Sequence, residues 1–188
     1  MIFNLPNLVT WLRILLIPLI VGIFYLPDEW LSFSAKNVAG TAIFIVAAIT
    51  DWLDGYLART LNQMSAFGAF LDPVADKLVV VGALIVLLTL GRVEMLVGLI
   101  IIGREIAISA LREWMARVGQ SKSVAVAFIG KVKTASQMIA IPLLLYHEEL
   151  LGLVDCQWLG TILINVAAVL TVVSMLYYLR RALPHATA

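Results

Sequence analysis

DWLDGYLARTLNQMSAFGAFLDPVADK, residues 51–77, joins the end of one long apolar run to the start of the next. Residues three or four apart share a helix face, so Asp51 and Asp54 project together, and so do Asp72 and Asp76. The short connection between the runs predicts antiparallel neighbours whose acidic faces oppose one another. Each aspartate at the centre of a bilayer costs about 2.5–3.5 kcal/mol, before any mutual repulsion. Salt bridges to Lys77, Arg59 or Arg104 offer one way to offset that cost, but Lys77 and Arg59 neutralise at most two of the four acids. Two divalent cations would cancel the whole formal charge. An all-carboxylate set with no His or Cys nearby favours Mg²⁺, Mn²⁺ or Ca²⁺ over zinc. Asp51, Asp54, Asp72 and Asp76 are therefore the candidate metal ligands.

The composition around this segment fixes its setting. The chain has 188 residues, 62% of them hydrophobic and only 13% charged, with a mean hydropathy of +1.01. Soluble domains carry about 25% charged residues. The figures exclude a disordered chain, a collagen-like repeat, a nucleic-acid-binding arm and an ordinary soluble enzyme. Long apolar stretches at about 6–26, 37–61, 66–90, 94–117, 124–147 and 157–179 predict an all-α, six-transmembrane-helix bundle forming a single domain over 1–188. No period-two alternation suggests a membrane barrel. Arg13 interrupts the first stretch and no basic segment precedes it, so it does not read as a cleaved signal. Cys156 is the single cysteine and has no partner for an internal disulfide.

With alternating helices, the charges inside or beside the apolar runs gather at one end of the bundle. Arg13, Arg59, Arg112, Arg117, Lys122, Lys131, Lys133, Arg180 and Arg181 lie near that end, whereas Lys36 and Arg92 are the basic residues of the opposite loops. Basic residues accumulate on the cytoplasmic side, so the acidic cluster is expected to face the cytoplasm of a bacterial inner membrane. Trp11, Trp52 and Trp114 towards that interface, and Trp30 and Trp158 towards the other, read as an aromatic belt.

Paired divalent ions at a membrane surface suit phosphoryl displacement, because they clamp the attacking and leaving oxygens. Gly55, Ala58 and Gly68 would let a substrate approach the helix backbone. Arg59, one turn beyond Gly55, is suited to a phosphate oxygen that the metals leave exposed.

Asp51-x-x-Asp54-Gly55-x-x-Ala58-Arg59, then eight residues, then Gly68-x-x-x-Asp72-x-x-x-Asp76, resembles the complete motif of the CDP-alcohol phosphotransferases, with no specified position departing from it. The resemblance implies two divalent ions, Mg²⁺ or Mn²⁺, on the four aspartates. It also implies a CDP-linked donor, release of CMP, a homodimer and a site open to the cytoplasm. Within the family, PNLVTWLR at 6–13, GREIAISALREW at 103–114 and GKVKT at 130–134 are most similar to bacterial members that join CDP-diacylglycerol to glycerol 3-phosphate.

That acceptor brings a dianion, and Arg104, Arg112, Lys131 and Lys133 are the candidate cations for it. Arg104 and Arg112 lie about 80° apart on a helix and can line one cavity wall. Lys131 and Lys133 point differently, so one of the two is expected to serve the lipid surface. Positive-inside bias and anionic-lipid contacts suit Arg117, Lys122, Arg180 and Arg181 better. The expected chemistry has CDP-diacylglycerol entering sideways with its acyl chains in lipid. Its cytidine would lie near Asn7, Thr10, Gly55 and Ala58, and Asp76 would act as general base. Another acceptor in the same family (serine, an inositol phosphate or a second phosphatidylglycerol), an ion or proton transporter and a structural scaffold are the alternatives. The nearly pure Leu, Ile, Val and Ala of the outer halves weighs against a transporter.

Overall fold

Six helices account for nearly all of the described residues in the computed structural model, which describes residues 5–60, 66–117, 128–150 and 152–182. They are α1 (Leu5–Ile23), α2 (Phe33–Thr60), α3 (Ala66–Thr89), α4 (Met95–Arg117), α5 (Phe128–Tyr146) and α6 (Cys156–Ala182). Each coincides with one of the six apolar stretches. Differences sit at the ends, where local chemistry rather than hydropathy decides. The Ser32 hydroxyl accepts from the Ala35 amide at 3.3 Å, an N-cap that starts α2 at Phe33, ahead of the expected residue 37. Two strands, β1 (Glu149–Leu150) and β2 (Val154–Asp155), pair antiparallel between α5 and α6. At two residues each they are too short to leave a readable alternation. The Asp155 carboxylate then caps α6 by accepting from the Trp158 amide at 2.9 Å.

Gly91 closes α3. Its φ of +68° permits paired bonds from the Arg92 amide to the Leu87 carbonyl at 2.9 Å and from the Gly91 amide to the Leu88 carbonyl at 3.1 Å, a Schellman ending. Arg92 then turns inward. Its guanidinium donates to the Leu144 and Leu145 carbonyls at the C-terminus of α5, at 2.9 and 2.7 Å, and to Asn37 Oδ1 of α2 at 2.8 Å. These bonds satisfy carbonyls that the helix end leaves open and place a cation at the negative end of its dipole. Lys36 is fastened likewise, donating to the Leu26 carbonyl and to Asp28, each at 2.5 Å. Both basic residues of this end are thus consumed in stitching loops to helices. His147, at the exit of α5, lies beside them. Burial first, and then the positive charge of Arg92, hold its imidazole below the ordinary histidine range.

A core of Ile20, Phe44, Leu84, Leu87, Ile101, Leu144 and Ile164, each at most 1% exposed, draws on all six helices. The most extensive helix pair is α5 with α6. Gly160 permits that approach, because a Cβ there would lie 2.8 Å from Leu144 Cγ. Helix α1 lies between α2 and α3, and each of those packs far more on α1 than on the other. The expected direct pairing of the two acid-bearing helices is therefore mediated by α1.

Large apolar side chains remain outside, among them Leu15, Leu19, Ile49, Ile106 and Val169, each more than half exposed. A surface of this kind suits lipid rather than water. Among the described residues, three segments are long and apolar enough to cross a membrane: Phe33–Asp51, Phe128–Tyr146 and Cys156–Arg180. Asn7–Ile23 is a shorter apolar helix. Helices α3 and α4 carry their charges inside the helical span, at Asp72, Asp76 and Lys77 and at Arg104, Glu105 and Arg112.

Candidate active site

Asn7, Thr10 and Arg13 recur at intervals of three along α1, and all are buried. Gly68, Asp72 and Asp76 recur at intervals of four along α3. Both spacings keep a single face, and the two faces meet. The Thr10 hydroxyl donates to Asp72 Oδ1 at 2.7 Å, and the Arg13 guanidinium is bonded to Asp76. The same Arg13 Nη1 lies 3.2 Å from Asp51 Oδ1 of α2. One cationic nitrogen thus gathers carboxylates from two helices. Arg13 itself is 1% exposed, while the Asp51 and Asp76 side chains are 47% and 45% exposed.

Those two carboxylates open onto a cavity of about 360 Å³ to which every helix contributes. Arg13, Asp51, Asp76 and Lys77 form one wall. Arg104, Glu105 and Arg112 of α4, Lys133 and Gln137 of α5 and Tyr178 of α6 form the other. In the second wall Glu105 is the organiser, accepting from Arg104 Nη1 at 3.1 Å and from the Lys133 ammonium. Arg112 lies over the Tyr178 ring at 5.7 Å. Neither Arg112 nor Lys77 has a carboxylate partner among the described residues. The cavity is therefore lined by a carboxylate pair together with two cations that have no carboxylate partner among the described residues, an arrangement suited to an anionic substrate held beside a bound cation.

Of the residues expected from sequence, Asp51, Asp76, Arg104, Arg112 and Lys133 line this cavity. Asp72 stands one turn from Asp76, fixed by Thr10, whose hydroxyl is thereby turned towards Asp72. Asn7 and Gly68 are buried on the same interface. Lys131 is exposed and outside the cavity, whereas the Lys133 side chain is 2% exposed and within it. The side chains of Asp54, Ala58 and Arg59, and Gly55 with them, lie outside the described residues, as do Lys122 and the side chains of Arg117 and Arg181.

Sequence reasoning assigned no site role to Arg13, Lys77, Glu105, Gln137 or Tyr178. For Arg13 the available signal was a charge within the first apolar run, which had been absorbed into the orientation argument.

The donor set fits a hard divalent cation. It is all oxygen, it includes no His or Cys, and a guanidinium nitrogen already holds a position shared by Asp51 and Asp76. Among the described residues no three acidic side chains gather closely enough to hold one ion, and Asp54, the remaining acid, stands outside that set.

An α-helical chain with lipid-suited surfaces, carrying the full Asp-Asp-Gly-Ala-Arg-Gly-Asp-Asp motif beside a charged cavity, fits one class of membrane transferase, and the family model matches it. Residues 3–173 match the CDP-alcohol phosphatidyltransferase model, and the chain belongs to that family. Divalent metal is part of the chemistry of the family. The chain is 51% identical to the CDP-diacylglycerol–glycerol-3-phosphate 3-phosphatidyltransferases of Shigella flexneri serotype 5b (strain 8401) and Escherichia coli (strain K12), over 96% of its own length and 95% of theirs. The protein of that name from Shigella boydii serotype 4 (strain Sb227) is equally similar, at 51% identity.

Proposed function

We propose that this protein transfers the phosphatidyl group of CDP-diacylglycerol to sn-glycerol 3-phosphate, giving phosphatidylglycerol phosphate and CMP. The observation that carries the reading is the cavity itself, with the Asp51–Asp76 pair on one wall and Arg112, Arg104 and Lys133 across from it. The names of relatives sharing 51% identity over almost the whole chain support the choice of both substrates.

In this reading all six helices span a bacterial inner membrane as a homodimer, with the cavity open to the cytoplasm. Asp51, Asp54, Asp72 and Asp76 would hold two divalent ions, Mg²⁺ or Mn²⁺, which when bound stabilise charge on the transferring phosphoryl group. Thr10 orients Asp72. Arg13 keeps Asp51 and Asp76 together against their repulsion. The cytidine lies against Gly55, Ala58 and the buried Asn7 region, with Gly68 allowing close approach, and Arg59 attends the pyrophosphate. Lys133 and Arg104, both held by Glu105, and Arg112, over the Tyr178 ring, receive the acceptor phosphate. The exposed Lys131 is left to lipid headgroups.

The primary hydroxyl of glycerol 3-phosphate attacks the phosphorus bearing diacylglycerol. Asp76 takes its proton as the new O–P bond forms, and the bond to CMP breaks.

Purified protein given CDP-diacylglycerol, Mg²⁺ and a panel of acceptors should release CMP with glycerol 3-phosphate and leave serine, inositol phosphate and phosphatidylglycerol unused. Preference for any of those three would overturn the acceptor assignment.

Within that assay Arg112→Ala is expected to raise KM for glycerol 3-phosphate by about 10-fold or more, the loss of one charge-assisted bond of about 1.5–3 kcal/mol. KM for CDP-diacylglycerol should hardly change. Equal rises for both substrates would remove Arg112 from the acceptor subsite.

A further inference from the structure

Gln137 brings to the cavity a buried acceptor that the fold leaves unpaired among the described residues. It is 3% exposed and lines the cavity. It stands one helical turn beyond Lys133 on α5, on the same face. Its amide oxygen has no hydrogen-bond partner among the described residues. A buried acceptor left without a donor is destabilising, and an apolar side chain of the same size would serve packing alone better. The adjacent Lys133 and Thr134 are engaged elsewhere, since the Lys133 ammonium is bonded to Glu105 and the Thr134 hydroxyl donates to the Gly130 carbonyl at 2.9 Å. A phosphate dianion offers the amide oxygen no proton, so the unpaired oxygen of this carboxamide needs a different donor. It suits an uncharged polar group held a short distance from that phosphate.

We infer that Gln137 is a specificity-determining residue whose amide oxygen accepts a hydrogen bond from the secondary hydroxyl of the acceptor. This inference deepens the acceptor assignment above and rests on it. Glycerol 3-phosphate carries its phosphate on one end carbon, its attacking hydroxyl on the other and a secondary hydroxyl between them. With the phosphate at Arg112 and Lys133, the middle hydroxyl falls within the neighbourhood of the next turn of α5. A site built to bond a substrate hydroxyl discriminates strongly against an analogue lacking it, because the buried partner is then left unsatisfied.

The test compares glycerol 3-phosphate with 3-hydroxypropyl phosphate, which keeps the phosphate and the primary hydroxyl and lacks the secondary one. The full-length protein should prefer glycerol 3-phosphate by about 10²-fold or more in kcat/KM. In Gln137→Leu the preference should fall to within a few-fold of unity, chiefly by loss of activity towards glycerol 3-phosphate. The variant should melt no lower than the parent protein, because it deletes an unsatisfied buried group. Gln137→Met, unbranched and of similar length, should behave alike and covers the case in which leucine does not pack.

Undiminished discrimination in a folded variant would overturn the inference while leaving the acceptor assignment intact. Absence of turnover of glycerol 3-phosphate by the unsubstituted protein would overturn the acceptor assignment itself. A lower melting temperature together with retained discrimination would assign Gln137 to packing.

Discussion

Asp76→Asn is expected to slow CMP release by about 10²–10⁴-fold, the usual contribution of a positioned general base, while CDP-diacylglycerol still binds. Asp76 opens onto the cavity with nearly half its side chain exposed, and it is bonded to the deeply buried Arg13. Asparagine matches its size and retains an oxygen for Arg13, so the neighbourhood should persist without a proton acceptor. Donor binding and CMP release, measured on the same preparation, check the point. Near-normal turnover would remove Asp76 as base. Loss of donor binding in parallel with turnover would assign it to holding metal instead. Proton acceptance and metal binding would both act through this carboxylate, so the binding measurement carries more of the decision than a pH profile.

Arg13→Met should have the largest effect on the fold. Removing one partner from a fully buried ion pair costs about 3–5 kcal/mol, and partial exposure of Asp51 and Asp76 lowers the expectation to about 2–3 kcal/mol. The loss has a specific remedy. Without the guanidinium, the two carboxylates repel across the α2–α3 gap, and a divalent ion is the natural replacement. Added Mg²⁺ should therefore raise the melting temperature of Arg13→Met more than that of the parent protein, and a chelator should abolish the difference. Equal responses to Mg²⁺ would show that arginine and metal do not share this position.

The helices were legible because lipid exposure demands long apolar runs, and all six appear where hydropathy put them. What escaped was local. The Ser32 cap moved the start of α2, and the two-residue hairpin was too short for any period. The neighbour relation of α2 and α3 was misjudged because a short connection argues for direct pairing, yet α1 packs between them.

In the site, the acids stood out through the cost of putting carboxylates in a bilayer, and Asp51 and Asp76 do converge. Arg13 was hidden by a competing explanation, since every basic residue at that end also satisfies the orientation bias. Lys131 and Lys133 could be told to diverge but not which one faced inward, as that depends on how α5 is rotated against its neighbours. Gln137 belongs to no motif. Only the absence of a partner in three dimensions distinguishes it from any polar residue in an apolar run.

The stitched end limits how far water can follow a substrate into the bundle. Beyond the charged cavity the six helices shut over a layer including Leu84, Leu87 and Leu144, each 0% exposed, and Arg92 and Lys36 draw the far loops down over it. An apolar plug of this kind leaves water in the cavity no polar path to the far end of the bundle.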